Sequence, residues 1–587
     1  MKQFLKFTLA SATGLVLGFF LLIFIFGVIA AGSSEPNVIK LKKPHILKLD
    51  LNGAIQDRVE KSPFDVYGEI FGNEISTIGL NELLANIKKA KEDENIKGIY
   101  IEMGYLSAGY ATIEEIRNAL IDFKGSGKFI TTYSEVYTQR AYYLASVANN
   151  ICIYPEGAME LKGLNSTITF YTDALKKIGV EPQIIRHGKF KSAVEPFMLT
   201  EMSDANREQV ETFMGSLWEQ FLVNVSADRN VSKNKLNNIV NNFEIRTPSD
   251  AVKLGLADSL FYRDQIQDHL TRLMEKDSYK DVKFISLKKY NRVKNESARD
   301  KFKKEKIAVI YAQGEIRSGE GSETVIGSER ISKAIRKARL DDKVKAIVLR
   351  VNSPGGSALA SDVIWREMTL AKAEKPIVVS MGDVAASGGY YIACDANKIY
   401  ASPNTITGSI GVFGILMSFE ELYTEKIGIT FDQVKTNKFA DLGTTTRPLT
   451  EEEYNIIHQS VVDIYHTFTS KVAEGRNMNQ EDVDAIGQGR VWSGTNAMDI
   501  NLIDEYGGLN DAIKGAAELA ELEDYRVYEL PEQKDPLQEL LKGLEDDLQN
   551  SWMKHQLGSQ YKHYKTLQDL QHLKGVQARM PYQFVID

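Results

Sequence analysis

Cysteine is almost missing: the 587 residues include two, Cys152 and Cys394, and the eight histidines show no ligand-like spacing. Two thiols cannot build a disulfide framework or a zinc site, so the chain is expected to work without metal or cofactor. Positive charge is scarce as well. A formal net charge of −8 argues against a nucleic-acid partner. With 43% apolar and 26% charged residues, the composition is that of ordinary globular protein. The length calls for more than one domain at about 100–200 residues each.

Charge is absent altogether from Phe7–Ala31, a stretch rich in Leu, Phe, Ile and Val. A membrane span needs about 20 such residues, and a signal-peptide core only about 7–15. Residues 1–44 are therefore read as a transmembrane anchor and linker. Lys2 and Lys6 before the span favour a cytoplasmic start, although Lys40, Lys42, Lys43 and Lys48 beyond it weaken that argument. Small residues at Ala30, Ala31 and Gly32 leave a cleaved signal peptide as the alternative.

From His45 onward the pattern is α/β. Apolar runs such as ILKLDL, IKGIYIEM, IAVIYA, VKAIVLRV and PIVVSM alternate with amphipathic stretches, as in a sheet covered on both faces. The pattern also occurs twice. Ile96–Arg117 aligns without a gap on Val344–Trp365, Tyr142 and Tyr143 fall on Tyr390 and Tyr391, and AVKLGLADSL at Ala251 is echoed by AMDINLIDEY at Ala497. These echoes place one repeat over 45–297 and a second over 298–528. The basic run in 281–306 reads as a solvated linker and helix, and 529–587 as a polar helical arm.

Each copy lacks what the other has. Ser387, in the turn Ala386-Ser387-Gly388-Gly389, faces Gln139 of the first copy, whereas Lys191 in GKFKSAVEPF faces Ala440 of the second. A serine where a strand turns into a helix sits beside free N–H groups at the positive end of the helix dipole. That placement suits a nucleophile, because the charge developing on an acyl oxygen needs preorganised N–H donors. Gly388 is one natural donor, and the loop Pro354-Gly355-Gly356 can supply a second. A serine hydroxyl also needs a base. His458 and His466 lie on an amphipathic pattern, which leaves Lys191, provided that burial lowers its pKa. The alignment leaves open whether the two residues meet within one chain or between neighbours.

The strings GKFKSAVEPF, RVNSPGGS, AASGGYYIA and TGSIGVFG resemble, in this order, those of the signal peptide peptidase A family, or protease IV, in its long duplicated form. The resemblance implies tandem ClpP/crotonase-like α/β domains behind a transmembrane helix. It implies Ser387 as nucleophile, Lys191 as general base, Ser409 as the serine orienting the lysine, and the Gly356 and Gly388 amides as the oxyanion hole. It further implies signal peptides and other short, unfolded apolar peptides as substrates, with the lipid bilayer and a homotetramer as partners. The expected location is the bacterial inner membrane, with the catalytic domains on the extracytoplasmic side. Two alternatives stand beside this reading: a crotonase-like acyl-CoA enzyme, and a catalytically inactive membrane scaffold.

Overall fold

The computed structural model describes residues 3, 4, 6–8, 10, 11, 13–18, 39–59, 77–293, 304–533 and 576–580. Most of the expected membrane span, the expected repeat boundary at 297/298 and most of the expected helical arm lie outside the described residues. No helix among the described residues is long and apolar enough to cross a membrane.

The first repeat is a parallel sheet of β1 (His45–Gln56), β2 (Ile78–Gly79), β3 (Ile96–Ser107), β4 (Phe129–Tyr137), β5 (Asn150–Met159), β7 (Ser259–Leu260) and β8 (Phe284–Ser286). Its order is β2-β1-β3-β4-β5-β7, with β8 also on β1. The second repeat builds its sheet from β9 (Lys306–Gln313), β12 (Val344–Ser353), β14 (Ile377–Ala386), β15 (Lys398–Ala401), β16 (Ile406–Gly408), β18 (Val491–Ser493), β19 (Glu505–Tyr506) and β20 (Arg526–Leu530). Here the order is β18-β16-β14-β12-β9-β20. β20, which straddles the expected boundary at 528, completes this sheet by pairing in parallel with β9. Central strands such as β12 are buried along nearly their whole length, which explains their unbroken apolar sequence.

The duplication extends to the helices. Leu80–Glu92 and Ser328–Leu340 each have 13 residues, and Tyr110–Lys124 and Ala358–Lys372 each have 15. Asp204–Arg229 and Glu451–Arg476 each have 26 residues. Both long helices start at a hydroxyl, Ser203 or Thr450, that accepts a backbone N–H of the first turn. Both stop at an asparagine in the left-handed conformation, Asn230 or Asn477.

A third, mixed sheet belongs to neither repeat alone. It contains β6 (Glu181–Arg186), β10 (Glu315–Arg317), β11 (Val325–Gly327), β13 (Gly355–Ser357), β17 (Phe413–Ser418) and β21 (Gln577–Arg579), in the order β11-β10-β13-β21-β17-β6. First-repeat β6 runs antiparallel to second-repeat β17, from Arg186 opposite Phe413 to Glu181 opposite Ser418. That pairing carries the chain just before Lys191 up to the second repeat.

Buried polar contacts fix the repeats against each other. The Arg350 guanidinium on β12 is fully buried and donates to Asp57 Oδ1 at 2.8 Å, to Glu115 Oε1 at 2.6 Å and to Ser380 Oγ at 2.8 Å. Asp57 and Glu115 both come from the first repeat. Asp383 on β14 accepts from the backbone N and the Oγ1 of Thr112, at 2.8 and 2.7 Å. β12 and β14 lead directly into the Gly355 loop and Ser387, so these contacts anchor the strands that carry the site. Removing one partner of a buried ion cluster leaves the others charged and unpaired, at a cost of about 3–5 kcal/mol. Arg350→Met is expected to destabilise the chain by that order, measured as a lower denaturant midpoint.

Candidate active site

Ser387 ends β14 and opens the short helix Gly388–Tyr391, with φ 54° and ψ −114°. This conformation is uncommon for a residue with a side chain and costs of the order of 1–3 kcal/mol. The surroundings enforce it: Ser387 N donates to Gly408 O at 2.8 Å, and Ser387 O accepts from Tyr391 N at 2.8 Å. Ser387 Oγ, fully buried, donates to Gly411 O at 3.2 Å.

Lys191 arrives from the other repeat. It directly precedes the 3-10 turn Ser192–Phe197, and its side chain is fully buried. Lys191 Nζ lies 2.9 Å from Ser387 Oγ, 3.1 Å from Ser409 Oγ and 3.2 Å from Ser409 O. The two expected partners, 196 positions apart in sequence, therefore meet within one chain. Burial alone pushes the Lys191 ammonium well below its ordinary pKa. An amine in this setting carries a lone pair near neutral pH, which a solvated lysine does not.

Ser409 is the third expected residue in contact. Its N donates to Arg490 O at 2.7 Å and its Oγ lies 3.3 Å from Gly489 O, so β18 and the turn before it hold the serine in place. Gly489 has φ +85°, and a methyl added there would lie 2.7 Å from the Lys191 backbone. The lysine fits only because that position has no side chain. Gly355 and Gly356 have φ +95° and +155°, and a methyl on Gly355 would come within 2.7 Å of Gly388 N. The loop and the helix start thus converge beside Ser387, as the two expected donors require.

Sequence reasoning did not identify the residues that hold Lys191. Gln209, buried on the helix Asp204–Arg229, donates from Nε2 to Ser192 Oγ at 2.8 Å and to Phe190 O at 3.2 Å. Its Oε1 accepts from Val491 N of the second repeat at 3.1 Å. One amide thus ties both neighbours of Lys191 to β18. A lone glutamine on an amphipathic helix gives no signal of this in sequence. The role of residues 576–580, which form a strand beside the Gly355 loop, was equally hidden.

The corresponding place in the first repeat is closed. Gln139 Oε1 accepts from Lys162 N and Gly163 N at 3.0 and 2.9 Å, while Nε2 donates to Tyr110 OH at 3.1 Å and Gly163 O at 3.2 Å. Ala440, which takes the lysine's place in the second repeat, is exposed.

One comparison with known proteins decides the lineage. The sequence pattern of peptidase family S49 matches residues 122–277 and again residues 369–523, one match in each repeat. The chain belongs to peptidase family S49. The Clp protease pattern matches residues 289–407, consistent with a ClpP-like α/β fold in duplicate. The chain is 36% identical over 499 residues to Protease 4 of Salmonella typhi, a match covering 82% of this chain and 79% of that protein. It is 33% identical over 551 residues to the chloroplastic serine protease SPPA of Arabidopsis thaliana, covering 92% and 78%. A putative signal peptide peptidase SppA of Enterococcus faecium matches 33% of this chain at 36% identity and is covered over 57% of its own length. Membership of the S49 family makes this chain a serine peptidase.

Proposed function

We propose that this peptidase works through a serine–lysine dyad, is anchored in the bacterial inner membrane, and degrades cleaved signal peptides and other short apolar peptides outside the cytoplasm. The observation that carries the dyad is the 2.9 Å approach of a fully buried amine to a fully buried hydroxyl. Neutral Lys191 takes the proton from Ser387 Oγ as that oxygen attacks the substrate carbonyl. Gly356 and Gly388 receive the resulting oxyanion, and Ser409 holds Nζ on line. Lys191 then passes its proton to the leaving amine. In the second half of the cycle it takes one from the water that hydrolyses the acyl-enzyme.

The charge-free stretch Phe7–Ala31 supports an anchor, and the name of the Enterococcus relative supports the substrate class. A site close to the bilayer and a preference for extended chains fit apolar peptides, which can add main-chain hydrogen bonds to a sheet edge. A serine-reactive phosphonate provides the deciding experiment. Labelling at Ser387, absent in Lys191→Ala, is expected. Labelling elsewhere, or none, would return the reading to the acyl-CoA enzyme or the inactive scaffold.

The dyad within one chain yields a further expectation. Ser387→Ala and Lys191→Ala chains, mixed and reassembled into any oligomer, should recover no peptidase activity. The separated repeats should each be inactive alone. Recovered turnover in mixed oligomers would mean that neighbouring chains exchange these elements.

A further inference from the structure

The catalytic slot already holds a strand. β21 lies between β13 and β17 and runs antiparallel to both, with Gly355 opposite Arg579, Gly356 opposite Ala578, Ser357 opposite Gln577, and Phe413 also opposite Gln577. Beyond the strand ends, Met580 N donates to Pro354 O at 2.6 Å and Ala358 N donates to Val576 O at 3.3 Å. Bonded pairs alternate along an antiparallel ladder. The bonds at 354/580 and 358/576 therefore make Gly356 and Ala578 a bonded pair, with the Gly356 N–H directed at the Ala578 carbonyl. That oxygen also abuts the second donor. A methyl on Gly355 would lie 2.2 Å from Ala578 O, and one on Gly388 would lie 2.9 Å from it. The Ala578 carbonyl thus sits in the notch between the two amides assigned above to the oxyanion.

Side chains alternate along a strand, so Val576 and Ala578 share one face. Both pack on the core of the second repeat, and Ala578 is fully buried. On the opposite face Arg579 reaches Glu315 Oε1 at 3.4 Å. An extended segment with main-chain bonds on both sides and alternate side chains in pockets is how a sheet edge receives a peptide.

We propose that residues 576–580 occupy the peptide-substrate slot in substrate register, with the Ala578–Arg579 bond at Ser387. The segment is an intramolecular competitor, and its sequence reports the preference of the slot. A small residue precedes the cut, a branched aliphatic residue lies two positions before that, and Glu315 favours a basic residue just after the cut. This rests on the reading of Ser387 as nucleophile, but binding tests it without turnover.

The test uses a fluorescent hexapeptide, Gly-Val-Gln-Ala-Arg-Met, in a Ser387→Ala background. Binding by anisotropy is expected to tighten by about tenfold or more when the chain is cut back to residue 575, because a tethered occupant competes at high effective concentration. Full-length Ala578→Trp, whose indole cannot enter the buried alanine site, should tighten binding similarly. It also preserves the test should the shortened chain not fold. In the Ser387 enzyme the same two changes should lower KM for the hexapeptide with kcat within about twofold, and the cut should map between Ala and Arg. Unchanged or lost binding in both variants would make β21 a fixed wall of the site and overturn the proposal. A cut elsewhere in the hexapeptide would overturn the register. Tightened binding without any turnover in the Ser387 enzyme would instead count against the dyad and leave the slot proposal standing.

Discussion

Ser387→Ala is expected to abolish hydrolysis of a fluorogenic apolar peptide, with kcat falling by about 10⁴-fold or more. Removal of a nucleophile that acts as one unit with its base typically costs this much. The fold should survive. The hydroxyl gives up a 3.2 Å contact with Gly411 O and a 2.9 Å contact with Lys191, each worth about 1 kcal/mol, while Lys191 keeps both atoms of Ser409. The thermal midpoint should therefore move by only a few degrees while activity vanishes. Turnover persisting above background would mean that another group attacks the carbonyl, and phosphonate labelling would locate it.

Lys191→Arg is expected to be as inactive as Ser387→Ala, because a guanidinium keeps its proton throughout the accessible pH range. A near-normal rate would make Lys191 a substrate-binding cation and not a base. In the unsubstituted enzyme kcat/KM should rise with pH as Lys191 loses its proton, through a midpoint well below the usual lysine value of about 10.4. Stability follows the same titration. The unfolded chain holds the lysine proton up to its ordinary pKa, whereas the folded chain releases it earlier. Between the two values the unfolded state binds more protons, so folding becomes more favourable as pH rises through that window. Lys191→Met avoids the burial of an amine. It should therefore melt above the parent at neutral pH, and the gap should shrink as pH approaches 10. A Lys191→Met chain less stable than its parent at pH 7 would mean that the lysine is held charged by groups outside the contacts described.

The site was readable in sequence because the two copies differ in opposite directions. Ser387 against Gln139 and Lys191 against Ala440 single out one residue in each half, and a shared site follows from that exchange. The fold class followed from apolar strands in alternation with amphipathic helices. Contacts that depend on distant pairing left no such trace. β6 meets β17 across more than two hundred residues, and neither string carries a mark of its partner. β21 lies in residues read as part of a helical arm. Its three residues are a strand because β13 and β17 offer main-chain partners on both sides, not because of their own propensity. Gln139 was read correctly as unable to attack a carbonyl. That its amide also plugs the vacant site follows only from the positions of Lys162, Gly163 and Tyr110.

The division of the site between repeats also sets an order in time. A ribosome delivers Lys191 long before Ser387, and Ser387 before Gly489 and Arg490, which close the lysine's surroundings. Until that last turn emerges, nothing removes the amine from water, and it keeps its proton. The growing chain therefore carries a lysine that cannot act as a base and a serine that cannot be activated. Such a peptidase passes through its own synthesis and export as an inert polypeptide, and gains the power to cut only when both repeats have docked.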